Sequence, residues 1–237
     1  MAINDVREIV LDTETTGMDP FKGDRIIEIG AIELINHMPT GKACQLYINP
    51  ERDIPPDATA VHGITDEFVK DKPVFSQVYM EFLDFIGNDS KLVIHNAEFD
   101  MKFLNWELKE VGHKPLSWDR VIDTLVMARK KFPGSPANLD ALCRRFDIDN
   151  TSRTYHGALL DSELLAEVYM ELLGGRQRGL GLSDASSKSA GQQQGGAAQV
   201  EKTFREPREF SVSKEELEAH TAMVDSLQEP VWKKIKQ

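Results

Sequence analysis

Apolar positions along the first part of the chain predict β-strands first and then strands that alternate with helices. Runs of β-branched and other apolar residues predict strands at residues 8–15, 25–35, 43–48, 91–94 and 121–122. A polar turn from Asn36 to Gly41 indicates a hairpin between the second and third strands. Apolar residues at helical spacing predict helices over residues 74–86, 97–111, 124–131, 138–146 and 159–173. A meander followed by alternation indicates an α/β fold with a mixed sheet flanked by helices.

The apolar pattern ends at Gly174 and Gly175, and a stretch of different composition follows. Residues 183–199 contain no aromatic or β-branched side chain, so this stretch cannot offset the entropy lost on ordering. We therefore predict three parts. They are a domain over 1–174, a flexible linker over 175–203 and a C-terminal segment over 204–237.

The C-terminal segment contains one candidate helix. Leu217, Met223 and Val224 have near-helical spacing, and Ser213 with Glu216 has the spacing of a capping box. A frayed polar tail is the alternative, because isolated helices of this length are marginally stable in water. The apolar residues of the segment have no domain of their own to enter, so we expect them to bind a partner protein.

Charge and cysteine content narrow the class of protein. The formal net charge of the 237 residues is −11, and 30 of the 39 acidic residues precede Gly175. A domain that neutralised many phosphates would be basic, so nucleic acid would have to be bound through few contacts, metal ions or partners. No apolar run approaches the roughly 18 residues of a membrane span. Cys44 and Cys143 have no disulfide-framework or zinc-site spacing, and together these features favour the reducing cytoplasm and no membrane.

The first predicted strand carries two carboxylates near its end. Asp12 and Glu14 are two residues apart, so they point to the same face of the strand. Two neighbouring carboxylates in an apolar setting are costly unless a positive charge lies between them. A divalent ion with oxygen ligands, Mg²⁺ or Mn²⁺, satisfies this need. The alternative is that Glu14 points to solvent at a frayed strand end.

Further acidic and histidine residues follow at two places where a helix begins. Asp100 lies in the segment His95–Asp100, at a change from strand to helix, and Asp161 lies in the segment His156–Asp161. Either aspartate alone could be a first-turn acid favoured by the helix dipole, and His156 could be a surface residue. The apolar face of the last helix must meet the sheet, which would bring Asp161 near the strand carboxylates. The joint pattern therefore indicates one site.

Four segments together resemble the motifs of the DEDDh exonuclease family: Leu11–Gly17, Val61–Thr65, His95–Asp100 and His156–Ser162. The resemblance covers residues 7–173 nearly without interruption and implies a ribonuclease H-like fold, in agreement with the predicted order of elements.

The resemblance implies a role for each residue of the joint pattern. Asp12, Glu14 and Asp161 would bind two Mg²⁺ or Mn²⁺ ions, Asp100 would hold the second ion directly or through water, and His156 would be the general base. Two such ions roughly 3.5–4 Å apart can clamp a scissile phosphate. A neutral imidazole can accept a proton near neutral pH.

The resemblance also implies a set of substrate contacts. Thr15 and Gly17 would bring the backbone close to the terminal nucleotide, and Asp57 would contact its sugar. His62 and Phe99 also have structural interpretations, a turn histidine and a core aromatic residue. The full implied set is Asp12, Glu14, Thr15, Gly17, Asp57, His62, Asn96, Phe99 and Asp161.

The implied activity is the 3′-to-5′ removal of mispaired nucleotides from DNA 3′ ends as 5′-monophosphates. The implied partners are the catalytic (alpha) subunit of a replicative polymerase and a small theta-like subunit. A stand-alone DEDDh exoribonuclease and an assembly module of the replicase are alternatives. The 63 residues after Gly174 favour a polymerase subunit, because stand-alone enzymes of this family usually need no such tether.

A short motif follows the domain at residues 177–182. Gln177, Leu180 and Leu182 resemble the Q-x-x-L-x-L peptides by which bacterial replication proteins bind the sliding clamp. A glycine-rich exit from a helix is the alternative. Contact with the clamp would be weak, but tethering within a replicase would raise the effective concentration.

Overall fold

The structure is a computed structural model that describes residues 5–151, 153, 155–175 and 212–226. The α-helices and β-strands of these residues are β1 (Arg7–Thr15), β2 (Ile26–Ile35), β3 (Met38–Tyr47), α1 (Pro56–His62), α2 (Asp66–Val69), α3 (Phe75–Ile86), β4 (Lys91–Ile94), α4 (Ala97–Glu110), β5 (Val121–Asp123), α5 (Thr124–Lys131), α6 (Leu139–Phe146), α7 (Ala158–Leu172) and α8 (Lys214–Ser226). Short 3₁₀ turns lie at Pro20–Lys22 and Trp118–Arg120.

The five described strands form one mixed sheet in the order β3-β2-β1-β4-β5. β1, β2 and β3 are an antiparallel meander, and β4 and β5 run parallel to β1. The carboxyl ends of β1, β4 and β5 therefore meet at the same edge of the sheet. The predicted mixed sheet flanked by helices is confirmed, and this edge is where ligands bind in open α/β sheets.

Helices cover both faces of the sheet. Ile9 and Leu11 of β1 pack into a core with α3 and α4, whereas Val10 packs on the other face against Leu165 and Tyr169 of α7. This alternation follows from the period of two along a strand. The even-numbered residues of β1 therefore face α7, and the odd-numbered residues face α4.

The hairpin between β2 and β3 is tighter than the sequence predicted. The turn consists of Asn36 and His37, with φ of 51° and 69°, and β3 begins at Met38 rather than at residue 43. Positive φ at both central residues matches the twist of the flanking strands. The pairing is irregular opposite Glu33, near Gly41, and most of β3 is exposed, so no alternation of apolar residues marks its first half.

Two helices, α1 and α2, lie in a region for which the sequence pattern predicted neither helix nor strand. α1 begins after Pro55 with Pro56 in its first turn, and Gly63, which follows its last residue, has a φ of +71°. A helix of seven residues presents too few turns to produce a clear helical period. The last residue of α1 is His62, one of the residues predicted to contact substrate.

The chain divides into two compact units, residues 1–186 and 187–237. In the first unit, α7 ends at Leu172, and Gly174 and Gly175 just beyond it adopt positive φ. In the second, α8 has the predicted capping box: the amide of Glu216 donates to Ser213 Oγ, and the amide of Ser213 donates to Glu216. The clamp-like residues at 177–182 and most of the predicted linker lie outside the described residues. Among the described helices, none is long and apolar enough to cross a membrane.

Candidate active site

The four predicted carboxylates and His156 line one cavity at the carboxyl edge of the sheet. Its volume is about 440 Å³. Asp12 and Glu14 come from β1, Asp100 from the first turn of α4, and Asp161 from the first turn of α7. Residues up to 149 positions apart in the sequence are thus brought to one place.

Alternation along β1 distributes the carboxylates between two layers. Asp12 and Glu14 lie on the α7 side of the sheet. Thr13 lies on the other side, where its hydroxyl donates to Asp100 Oδ1 over 2.7 Å. Thr13 is therefore a positioning residue for Asp100, a role that the sequence pattern did not reveal.

A close approach between α7 and β2 places Asp161. A Cβ at Gly30 would lie 2.1 Å from the backbone carbon of Ala158, so only glycine lets the first turn of α7 sit on the sheet here. Gly30 is the register partner of Asp12. The helix start has no capping side chain of its own; instead Glu28 Oε2 of β2 accepts from the amide of Ala158 over 3.1 Å. These strand residues fix the helix start, and Asp161 with it.

The turn between β4 and α4 is held from β5. Asn96 adopts a left-handed conformation, with φ of 61°, and its side chain makes no capping bond. Asp123 accepts from the amides of Asn96 and Ala97 and also from those of Leu125 and Val126 at the start of α5. One carboxylate thereby caps two helices and leaves the Asn96 side chain in the lining of the cavity.

Arg153 also lines this cavity, although no motif in the sequence includes it. Its Nε and Nη2 atoms each donate over 2.6 Å to an oxygen of Asp161, and Nη1 lies 2.8 Å from Asp140 Oδ1. Nη2 also lies 3.1 Å from His156 Nδ1. A lone arginine in a polar loop has no period or spacing that would have singled it out.

Burial makes the strand and α4 carboxylates hard to ionise. Burial, reinforced by Asp161, Glu28 and Asp100, raises the pKa of Glu14 to about 8. Burial raises the pKa of Asp100 to about 7, against the opposing hydrogen bond from Thr13. Burial and the neighbouring carboxylates also hold the pKa of Asp12 well above its usual range. Added positive charge, such as that of a bound cation, stabilises the ionised form of such a carboxylate cluster.

The donor set fits divalent cations. Ligand atoms of Glu14, His156 and Asp161 lie within 4.8 Å of one another, and Asp12 and Asp100 line the same cavity. Carboxylate oxygens are the preferred ligands of Mg²⁺ and Mn²⁺. The sequence prediction assigned Asp12, Glu14, Asp100 and Asp161 to the metals and His156 to proton transfer, whereas this geometric group also includes His156.

A second cavity of about 630 Å³ adjoins the first. Both are lined by Thr13, Glu14, Met18 and Phe99. The second cavity brings together most of the residues predicted to contact substrate, whereas Asp12, Asn96 and Asp161 line only the first cavity. Those in the second cavity are Glu14, Thr15, Gly17, Asp57, His62 and Phe99.

His62 has an unsatisfied polar atom in this second cavity. Its Nδ1 accepts from the amide of Ile64 over 3.0 Å, so the ring proton lies on Nε2. Nε2 is buried and is the one such side-chain atom without a hydrogen-bond partner among the described residues. Burial, with a smaller contribution from His156, lowers the pKa of His62, so the neutral donor form is favoured. His62 is therefore a buried residue at the end of α1, beside the turn that Gly63 forms.

His156 is half-exposed and is attached to α1. Its amide donates to the carbonyl of Val61 over 3.0 Å, which ties the loop before α7 to the second cavity. The neighbouring Gly157 begins α7 with extended backbone, with a φ of −147°. The histidine therefore lies at the junction of the two cavities, with its ring directed to Arg153 and Asp161.

Comparison with known proteins matches the sequence to one family model and to relatives that cover most of the chain. The sequence model of the family described as Exonuclease matches residues 9–169. The chain is 52% identical over 229 residues to the DNA polymerase III subunit epsilon of Rickettsia felis, which covers 95% of this chain and 98% of that protein. It is 44% identical over 232 residues to the DNA polymerase III subunit epsilon of Escherichia coli K12, covering 94% and 93% of the two chains.

Solved structures share the fold. Exonuclease X in complex with 5′ overhanging duplex DNA matches with a TM-score of 0.55 and 27% identity, covering 70% of this chain and 90% of that chain. The nuclease domain of 3′hExo, a DEDDh family member bound to rAMP, matches with a TM-score of 0.62, covering 73% of this chain and 94% of that chain. Its sequence identity is 22%, so this likeness shows the fold alone.

Proposed function

Because the chain belongs to the exonuclease family and, within it, to the DNA polymerase III epsilon subunits, it is a 3′-to-5′ proofreading exonuclease of a replicative polymerase, and we propose which of its residues carry the reaction. The observation that carries the proposal is the cluster of buried carboxylates with raised pKa values beside a cavity with an unsatisfied donor.

Asp12, Glu14, Asp100 and Asp161 are proposed to hold two divalent ions, Mg²⁺ or Mn²⁺. When bound, the ions supply positive charge at the scissile phosphate and lower the pKa of the attacking water. The protein contributes the placement of the oxygens. Thr13 orients Asp100, and the contact between α7 and Gly30 sets the distance of Asp161 from β1.

His156 is proposed to accept the proton of the attacking water at a ring nitrogen. It borders the carboxylate cluster and is half-exposed, so a water molecule can reach it. A base must be within hydrogen-bond reach of the proton that it removes. The link from its amide to Val61 keeps it at the entrance to the second cavity.

The second cavity is proposed to hold the terminal nucleotide. The Nε2–H of His62 can donate to an acceptor oxygen of the nucleotide, and Asp57 can accept from a sugar hydroxyl. Phe99 lines both cavities and can stack on the terminal base, while Thr15 and Gly17 bring the backbone close. Such contacts tolerate any base sequence, which suits the removal of mispaired nucleotides of every kind. The product would be a nucleoside 5′-monophosphate.

Replacing His156 tests this assignment. For His156→Ala we expect turnover on 3′-mispaired DNA to fall by about a hundredfold or more, since general-base catalysis typically contributes that much. Mn²⁺ affinity, measured by calorimetry, should stay within about threefold of the wild type, because the carboxylates remain. His220→Ala, an exposed histidine of α8, is the matched control. Unchanged turnover, or loss of Mn²⁺ binding, contradicts the role.

Residues 204–237 are proposed to bind the polymerase catalytic (alpha) subunit. Two apolar residues of α8, Leu217 and Met223, are exposed, with exposed fractions of 59% and 51%. We expect the double replacement of these two residues by Asp to abolish copurification with the polymerase. Val126→Asp, which alters an equally exposed apolar residue of α5, should leave copurification intact. Copurification of the double variant at the wild-type level would contradict the assignment.

Other assembly contacts are proposed for the cytoplasmic replicase. Gln177, Leu180 and Leu182 would bind the sliding clamp, and a small theta-like subunit would bind the catalytic domain. Replacing the three clamp-motif residues by Ala should weaken clamp pull-down at physiological salt without changing the exonuclease rate on free DNA. Equal pull-down of this variant and the wild type would refute the motif.

A further inference from the structure

Arg153 contacts Asp161, a proposed metal ligand, and His156, the proposed general base. Its guanidinium engages both oxygens of Asp161 over 2.6 Å and the Nδ1 atom of His156 over 3.1 Å. The side chain is 8% exposed, so these contacts lie in the wall of the cavity rather than at its rim. Bidentate pairs between arginine and carboxylate are among the stronger polar contacts in proteins.

The chemistry of arginine fixes the state of His156. A guanidinium carries only donors, so Nδ1 of His156 must accept, and the ring is neutral with its proton on Nε2. The 3.9 Å separation between His156 Nδ1 and Asp161 Oδ2 is too long for a hydrogen bond and is consistent with this arrangement. The lone pair that a base would use is thus already occupied.

We propose that Arg153 is an internal cation that closes the metal-free site, and that a divalent ion must displace its guanidinium from Asp161 before the site becomes competent. This inference depends on the proposed function, because it requires Asp161 to be a metal ligand. Two cations compete for the same carboxylate oxygens, so binding of one weakens binding of the other by the same factor.

Asp140 gives the displaced side chain a place to remain. Its Oδ1 atom accepts from Arg153 Nη1 over 2.8 Å and from Asn150 Nδ2 over 3.1 Å, and it lies in the first turn of α6, outside the carboxylate cluster. Arg153 can therefore leave Asp161 and His156 while it keeps this contact. The guanidinium would return when the ion leaves, so the metal-free protein avoids an unpaired carboxylate in its interior.

The test is Mn²⁺ binding to the full chain, measured by calorimetry. We expect R153Q to bind Mn²⁺ about tenfold more tightly than the wild type, because the competing cation is gone. R145Q is the matched control: it removes the same charge from α6, where Arg145 packs over the Phe132 ring, and should bind Mn²⁺ as the wild type does. Unchanged or weaker binding by R153Q overturns the inference.

A charge-preserving variant covers the case in which R153Q does not fold. R153K keeps one positive charge but cannot bridge both Asp161 oxygens and His156 together, so its Mn²⁺ affinity should rise by a smaller factor, about threefold. Affinity equal to or below that of the wild type would overturn the proposal.

A spectroscopic measurement separates displacement from a purely structural role. In the wild type with EDTA, the Arg153 Nε–H signal should exchange slowly with solvent, and saturating Mg²⁺ should make it exchange at least tenfold faster. A signal that Mg²⁺ leaves unchanged overturns the inference. These outcomes are independent of the His156→Ala test above: failure there affects the proposed function, whereas failure here affects Arg153 alone.

Discussion

Buried carboxylates occur in two regions of this protein, and the two sets differ in the donors and charges that surround them. Glu8, Glu33 and Glu107 are each buried in or beside the sheet, with exposed fractions of 1%, 3% and 1%. Asp100 and Glu14 are buried to a similar degree at the carboxyl edge, with 2% and 8%. The difference lies in the partners, not in burial.

Each carboxylate of the first set has its own donors. Glu107 accepts from Arg25 through both oxygens, over 2.7 and 2.9 Å. Burial opposes ionisation of Glu33, but hydrogen bonds from Arg7, Lys42 and Thr40 hold its pKa at about 2. Glu8 accepts from the Tyr169 hydroxyl and lies 2.8 Å from His37 Nδ1. These groups are structural.

The carboxylates at the edge of the sheet lack such a balance. Asp100 has the Thr13 hydroxyl, and Asp161 has Arg153, but burial and neighbouring carboxylates raise the pKa values of Asp12 and Glu14. Burial of acids therefore does not by itself indicate function. A group of buried acids whose pKa values are raised above their ordinary range indicates a candidate cation-binding site.

The largest expected effect comes from Asp12→Asn, which should separate activity from stability. We expect exonuclease activity to fall by about a thousandfold or more, because the metals act in the transition state. The free energy of unfolding in EDTA should be unchanged or higher, since the replacement removes a buried carboxyl group that is costly to ionise. Digestion of 3′-mispaired DNA and urea denaturation are the measurements, with exposed Asp84→Asn as control. Activity within tenfold of the wild type would rule out the metal assignment.

Glu107→Gln should give the opposite result. Breaking its pair leaves Arg25 without its carboxylate, which should lower the free energy of unfolding by about 2–3 kcal/mol, less than for a fully buried pair because Arg25 is partly exposed. Activity per folded molecule should stay within about threefold of the wild type, because Glu107 lies outside both cavities. Urea denaturation with exposed Glu110→Gln as control checks this. A variant as stable as its control would show that the two sets do not differ as argued.

The pH dependence of stability sharpens the comparison further. The pKa of Glu14 is about 8 in the folded chain against an ordinary 4.5, so between these values the folded protein holds a proton that the unfolded chain has lost. Stability contributed by this group is therefore lost as pH rises through that window, by up to a few kcal/mol. Asp100 acts in the same direction up to about pH 7.

Glu14→Gln isolates this contribution. Burial lowers the pKa values of His62 and His95, which makes stability rise with pH below about 6.5 and partly masks the carboxylates. The quantity to measure is therefore the difference in unfolding free energy between variant and wild type, in EDTA from pH 5 to 8. We expect the variant to gain relative stability steadily over this range. A difference that stays constant with pH would contradict the raised pKa.

The smallest expected effect is that of Lys42→Ala. Lys42 Nζ lies 3.0 Å from Glu33 Oε2, but the lysine side chain is 71% exposed, and Glu33 keeps Arg7 and Thr40. The loss of unfolding free energy should be below about 1 kcal/mol and should shrink further in high salt. Lys114→Ala, an exposed loop lysine, is the control. A loss as large as that of Glu107→Gln would show that surface charge, not the partly buried Arg7, balances Glu33.

Most elements were predictable because their signals are local. The apolar periods of α3, α4, α5, α6 and α7 locate these helices to within one residue at each end. The first half of β3 and the short helices α1 and α2 were missed, because an exposed edge strand and helices of four to seven residues bury too little surface to impose a period. The capping box of α8 was found because two side chains three residues apart define it.

The sequence by itself determined which side chains could form the site: the spacing of Asp12 and Glu14 on a strand, and the positions of Asp100 and Asp161 in first turns of helices, follow from local geometry. Only the tertiary structure decided what surrounds them. The need for glycine at residue 30 arises from α7, 128 residues further along the chain, and the unsatisfied Nε2 of His62 arises from its burial in the wall of the second cavity. Arg153 is an ordinary loop residue until folding places it between Asp161, Asp140 and His156. Desolvation and the proximity of charges depend on distances in space, and these exist only once the sheet and helices have packed.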